Sequence, residues 1–119
     1  MPNPFTYCEL HTPNTAAAKT FYTRLFGWSM NDLATPGGTY TEIKPGEGIE
    51  GGLMAENGEA PYWLTYVRVA DVAKTVDAAR GLGAKLLAER REIPDVGWIA
   101  VLADPTGARF AVFQPAPSR

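Results

Sequence analysis

The amino-acid sequence predicts an α+β fold in which two tandem βαβββ modules curl their sheets into one cup-shaped half-barrel. Three observations carry that expectation: a strand, helix, three-strand order that occurs twice, glycine punctuation at the same point of both halves, and a length suited to one small domain. The chain has 119 residues, 45% of them apolar and 20% charged, which is the size and make-up of a single globular domain. Module one is expected over about residues 1–57 and module two over about 58–119 of that one domain, 1–119.

The first extended run, Phe5 to His11, alternates in character and stops at Thr12-Pro13-Asn14, the signature of a strand followed by a breaker. Asn14 is placed to cap a helix, and Ala18, Phe21, Tyr22 and Leu25 follow at spacings of three and four. That spacing predicts one apolar helical face, with Phe21, Tyr22 and Leu25 in the core. Gly27 suits the left-handed residue that often ends a helix. After it, Trp28-Ser29-Met30 leads into extended chain, Pro36-Gly37-Gly38 marks a turn, and Thr39 to Ile43 and Ile49 to Met54 read as strands.

The polar stretch Glu56 to Pro61 separates the halves, and the same order resumes at Tyr62 to Val69. Asp71 is a second cap candidate, Val72, Val76 and Ala79 form a second helical face, and Leu82-Gly83 ends it much as Phe26-Gly27 ended the first. Ala18-Lys19-Thr20 and Ala73-Lys74-Thr75 even repeat in letters. Strands are expected at Lys85 to Ile93, Trp98 to Ala103 and Arg109 to Gln114, the last two joined by Asp104-Pro105-Thr106-Gly107, a type I turn sequence. Either half alone is too short to bury a good core, so the halves should complete one another. Two copies are fewer than a solenoid needs.

Composition excludes several partners. A formal charge of −2 offers no attraction to phosphate backbones or anionic lipid, so nucleic acid and membrane are not expected partners. No apolar run reaches the length of a membrane span, and the start, Met-Pro-Asn-Pro-Phe-Thr-Tyr, lacks the pattern of an export signal. A cytoplasmic location is the expectation. Cys8 is the only cysteine, which rules out an intrachain disulfide and a zinc site of clustered thiolates.

The segments Glu9-Leu10-His11-Thr12-Pro13-Asn14, Ala17-Ala18-Lys19-Thr20-Phe21-Tyr22 and Leu25-Phe26-Gly27-Trp28 together resemble the opening of vicinal oxygen chelate superfamily proteins, among them glyoxalase I, extradiol dioxygenases and bleomycin-resistance proteins. Val69-Ala70-Asp71-Val72 and Asp104-Pro105-Thr106-Gly107 are similar to that superfamily's second-module landmarks. What the resemblance implies about metal is negative. The positions at which the metal enzymes carry their ligands fall on Tyr7, Leu64 and Ala111, none a standard ligand, and loosely on Glu50-Gly51-Gly52. Neither a metal nor another cofactor is expected, placing the chain in a non-metal branch. Glu9 and His11, joined by Glu42, are the one alternative donor set, but a histidine and glutamate two apart on a strand is a common coincidence.

The pleat assigns the cup residues. Tyr7, Glu9 and His11 share one face of the first strand, and Cys8 and Leu10 the other, beneath the helix. In the second half, Leu64, Tyr66 and Arg68 face the cup while Val67 and Val69 face the helix. Tyr40 and Glu42 join the cup, as do Arg109 and Ala111, and Trp63 and Trp98 offer flat stacking surfaces. Each has a plain alternative: Glu9 as one half of an ion pair with Arg68 or Arg109, His11 as a rim residue, Glu42 as a solvated side chain, the tryptophans as core. Arg90-Arg91 with Glu89 and Glu92 reads as an exposed face.

Two functions follow from such a cup, aromatic and apolar with a few polar groups. One is metal-independent proton transfer on a small carbonyl, enol or aromatic metabolite, with Glu9 as base and Tyr7 or His11 assisting. The other is sequestration of a small organic ligand without chemistry, as the resemblance to bleomycin-resistance proteins implies. A metal-dependent lyase or dioxygenase is the third. Unpaired strand edges and the superfamily habit lead to the expectation of a homodimer.

Overall fold

The structure, a computed structural model, describes residues 2–117. It divides into two compact units, one running Tyr7–Leu64 and the other made of the stretch ending at Thr6 together with the chain from Thr65. The division falls inside two strands, Phe5–Thr12 and Tyr62–Arg68, and each unit is described by itself.

In the first unit the order is β1 (Phe5–Thr12), α1 (Thr15–Phe26), β2 (Ser29–Thr35), β3 (Gly38–Lys44) and β4 (Gly51–Ala55). The sheet order is β2-β3-β4-β1. The meander β2, β3, β4 is antiparallel, and β4 lies parallel to β1, so α1 belongs to the crossover that a parallel pairing requires. Asn14 caps α1 by accepting from the Ala17 N–H at 3.0 Å. Gly27 ends it at φ 70°, donating to the Thr23 carbonyl, a conformation that any Cβ would strain. Leu10, Ile43 and Leu53 form the buried core, with Ala18, Tyr22, Trp28 and Met30 packed on it.

One expectation about α1 is corrected. Phe21 and Leu25 are 56% and 57% exposed, and only Ala18 and Tyr22 turn to the core. Trp28 stacks on Tyr22 with ring centroids 5.4 Å apart, covering that ring from outside the helix, so two of the helix's own side chains, not the whole stripe, suffice against this sheet. The strand expected from Ile49 begins instead at Gly51, after positive-φ turns at Gly46 and Gly48.

The second unit repeats the topology: β5 (Tyr62–Arg68), α2 (Val72–Gly81), β6 (Lys85–Ile93), β7 (Gly97–Ala103) and β8 (Arg109–Pro115), in sheet order β5-β8-β7-β6 with β5 parallel to β8. Asp71 caps α2, accepting from the Lys74 N–H at 3.0 Å. Val69, Val72, Val76, Ala100, Leu102 and Val112 make its core. Asp104 and Gly107 close the β7–β8 turn, the Gly107 N–H donating to the Asp104 carbonyl at 2.9 Å. The repeat read in the sequence is therefore a repeat of backbone topology, first strand parallel to last in both units. Among the described residues no helix is long and apolar enough to cross a membrane.

Candidate functional site

On the face of the first unit's sheet opposite α1, strand register lines up polar groups. Glu9 on β1 is opposite Gly52 on β4, which is opposite Glu42 on β3, and His11, Met54 and Tyr40 form the next row. Residues in register on neighbouring strands point the same way. Leu10, Leu53 and Thr41 consequently point to the other side, as the core requires.

Gly52 leaves a gap in this face, and two phenols meet across it. The Tyr7 and Tyr40 hydroxyls lie 2.6 Å apart, and the Tyr40 hydroxyl donates to Glu9 Oε2 at 2.6 Å. Because the Tyr40 proton points to Glu9, Tyr7 is the donor to Tyr40. Glu9 Oε1 then lies 2.8 Å from His11 Nε2, and His11 Nδ1 lies 3.2 Å from Glu56 Oε1. The same Glu56 oxygen accepts from the Tyr62 hydroxyl at 3.0 Å, and the Tyr62 ring stacks on the imidazole at 4.9 Å and 4°. Short bonds to ionised acceptors are the strong ones.

Glu9 and His11 are 6% and 7% exposed. Burial pushes the Tyr7 phenol up to about 12, with the charge on Glu9 adding to it and the Tyr40 hydrogen bond opposing. Burial and then the Glu9 charge hold Tyr40 far above the usual phenol range. Burial alone would lower His11, but the hydrogen bond and charge of Glu9, helped by Glu56, raise it above 6.5. Both phenols stay protonated at neutral pH.

Residues 7–113 match the family described as Glyoxalase-like domain. The chain belongs to the glyoxalase-like domain family. It is 35% identical over 115 residues to a Mycobacterium tuberculosis protein provisionally named glyoxylase CFP32, an overlap of 91% of this chain and 44% of that protein. It is 27% identical over 123 residues to the anthracycline biosynthesis protein DnrV of Streptomyces peucetius, covering 89% and 45%. The chain thus spans less than half the length of these curated relatives. Methylmalonyl-CoA epimerase from Mycobacterium tuberculosis, a solved structure, shares its fold with a TM-score of 0.70 at 17% identity, over 95% of this chain and 88% of the other. Family and fold together place the chain in the vicinal oxygen chelate superfamily.

Tyr7 is bonded to Tyr40, and both ring nitrogens of His11 face carboxylates. Among the described residues no group of three or more His, Cys, Asp or Glu is arranged to hold a metal ion.

The structure brings Tyr7, Glu9, His11 and Tyr40 into one cluster. Glu42 shares their face, half-buried, and accepts from Asn31 Nδ2 at 3.3 Å. His11 is buried and not a rim residue. Trp63 is elsewhere: it packs edge-on against Tyr22 and Trp28 and lines an apolar recess of about 310 Å3 with Cys8, Ile43 and Ile49. Leu64 is buried. In the second unit, Tyr66 and Ala111 are register partners and both buried. By alternation the exposed Arg68 and Arg109 share their face. Trp98 takes the opposite face, against the α2 core, with the Arg90 guanidinium 4.7 Å over its ring.

Glu56, Tyr62 and Gly52 were not among the expected site residues. Tyr62 has the strand parity of Leu64 and Tyr66, so the alternation that selected those two also points to it. Glu56 carries no such signal, being the first residue of a polar turn.

Proposed function

We propose that this glyoxalase-like chain binds a small organic metabolite over the Tyr7, Tyr40, Glu9 and His11 face and moves a proton on it without a metal ion. The observation that carries the reading is the unbroken hydrogen-bonded run from Tyr7 through Tyr40 to a buried Glu9 carboxylate. A proton on carbon beside a carbonyl passes to Glu9, and the C–H electron pair becomes the enolate pair. Tyr7, which holds its proton at neutral pH, turns its O–H from Tyr40 to the enolate oxygen as a hydrogen-bond donor, and Glu9 delivers the proton to a second carbon of the conjugated enolate as the carbonyl re-forms. The balance is that of an isomerisation, one C–H bond broken and another formed.

A second reading, sequestration without chemistry, is favoured by one observation: both Glu9 oxygens already accept hydrogen bonds, as in a carboxylate with a structural task. A cytoplasmic location and a homodimer belong to the same proposal, supported by the free Cys8 for the first and by the exposed Phe21 and Leu25 for the second.

The test is NMR in deuterated buffer after dialysis against EDTA, with a panel of small ketones, hydroxy-ketones and polycyclic aromatic ketones. The aromatic members answer to the likeness to DnrV. Ligand line-broadening together with deuterium uptake beside the carbonyl, lost in Glu9→Gln, supports catalysis. Broadening without exchange supports sequestration. Exchange that appears only after a divalent metal is restored refutes metal independence, and no broadening with any class refutes the site.

A further inference from the structure

The His11 end of the cluster has a construction of its own. Its imidazole lies between two carboxylate oxygens, Glu9 Oε1 on Nε2 and Glu56 Oε1 on Nδ1. An ionised carboxylate only accepts, so both bonds form together only when both ring nitrogens carry hydrogen. The geometry is therefore that of an imidazolium, whichever tautomer the neutral ring would choose. Glu56 is oriented in turn by Tyr62, whose hydroxyl donates to the same oxygen while its ring lies flat against the imidazole, a placement in which the ring face attracts a cation. Three residues from β1, the segment after β4, and the start of β5 thus close a triangle outside Glu9. A buried ion pair is seldom the most stable filling for its volume. Retaining one here, with an outer carboxylate and a stacked phenol, points to a task for the charge.

We propose that Glu56 and Tyr62 are positioning residues that hold His11 flat, doubly bonded and cationic, so that its Nε2–H fixes Glu9 Oε1 and leaves Oε2 directed at Tyr40. This rests on the proposed role of Glu9, which it deepens: the outer carboxylate sets the upper pH limit of the Glu9 and His11 ion pair. Among the described residues, the imidazole is met by Glu9, Glu56 and Tyr62, with Tyr40 beyond Glu9.

His11 is the only histidine in the chain, so its ring protons give an unambiguous NMR titration that needs no ligand. The variants are Glu56→Gln, Glu56→Asp and Tyr62→Phe, each checked for an unchanged backbone amide spectrum. In the parent chain His11 is expected to titrate above 6.5, raised by Glu9 and Glu56. Glu56→Gln is expected to lower its midpoint by roughly 1 unit or more, the effect of losing an opposite charge at contact distance. Glu56→Asp should restore part of the shift, and Tyr62→Phe, which keeps the stack and loses the hydroxyl, should lower it by less. A parent-like midpoint in Glu56→Gln overturns the proposal, and a fall in Tyr62→Phe as large as that in Glu56→Gln overturns the ordering of roles. If Glu56→Gln fails to fold, Glu56→Asp and Tyr62→Phe decide: a parent-like midpoint in both is the refuting result. The proton-transfer reading fails separately, in the exchange assay, and leaves this titration unmoved.

Discussion

Gly52→Ala separates two effects of opposite sign. Gly52 is outside the positive-φ glycines, so alanine fits its backbone, and replacing glycine at a compatible position stabilises by about 0.4–1 kcal/mol through the unfolded chain. Against that stands the face above it. A Cβ built on Gly52 would lie 1.8 Å from the Tyr40 hydroxyl, 2.5 Å from its ring carbon and 2.7 Å from the Tyr7 hydroxyl. The Tyr40 phenol must swing away, giving up its bond to Glu9 Oε2, and a hydrogen bond to a charged group contributes about 1.5–3 kcal/mol. Inserting a methyl into a packed site costs about 1–3 kcal/mol by strain. These costs overlap, since one movement relieves the other, and the net expectation is a loss of about 1–3 kcal/mol. Urea denaturation measures it as a lower midpoint at unchanged slope. A variant as stable as the parent, or more so, would refute the claim that glycine is there to admit the two phenols.

Four further outcomes follow from the same geometry. Tyr40→Phe should lower stability by about 1.5–3 kcal/mol, because it removes the donor to a buried carboxylate, again read by urea midpoint. On alkaline titration followed by tyrosinate absorbance, Tyr7 should ionise only near 12, and Tyr40 should not ionise while the chain is folded; a difference between the parent and Tyr7→Phe already present near the ordinary phenol value of about 10 would contradict the burial argument. His11 is raised in the folded state, so its stabilising contribution is complete below about 6.5 and declines as pH rises through the higher folded value. The melting-temperature gap between the parent and His11→Gln should accordingly narrow on the alkaline side, and a gap that widens there has the sign wrong. Asp71→Ala should cost about 1 kcal/mol from the lost cap on Lys74, in the same denaturation assay.

The repeated order of elements was readable in the chain because it rests on local physics. Asn14 and Asp71 before apolar helical spacing, Gly27 after it, and Asp104-Pro105-Thr106-Gly107 between two strands each act over a few residues. Strand alternation likewise sorted Tyr7, Glu9 and His11 from Cys8 and Leu10. What it could not supply was neighbours across the sheet. That Gly52 stands between Glu9 and Glu42, and so lets Tyr7 and Tyr40 touch, is a matter of register between β1, β4 and β3, which no single strand encodes. Phe21 and Leu25 failed as core for a related reason: their spacing marks a face, while the size of the facing sheet and the ring of Trp28 determine how much of it is covered.

By itself, then, the sequence determined the βαβββ order, both helix caps and the family likeness, all set by residue type and short spacing. Only the tertiary structure decided that His11 is buried between two carboxylates, that Glu56 and Tyr62 enclose it, and that Trp63 and Trp98 turn away to the helical sides. Hydrogen bonds and stacking act over a few ångströms in space, and residues as far apart in the chain as His11 and Glu56, 45 positions, meet only once the strands are paired.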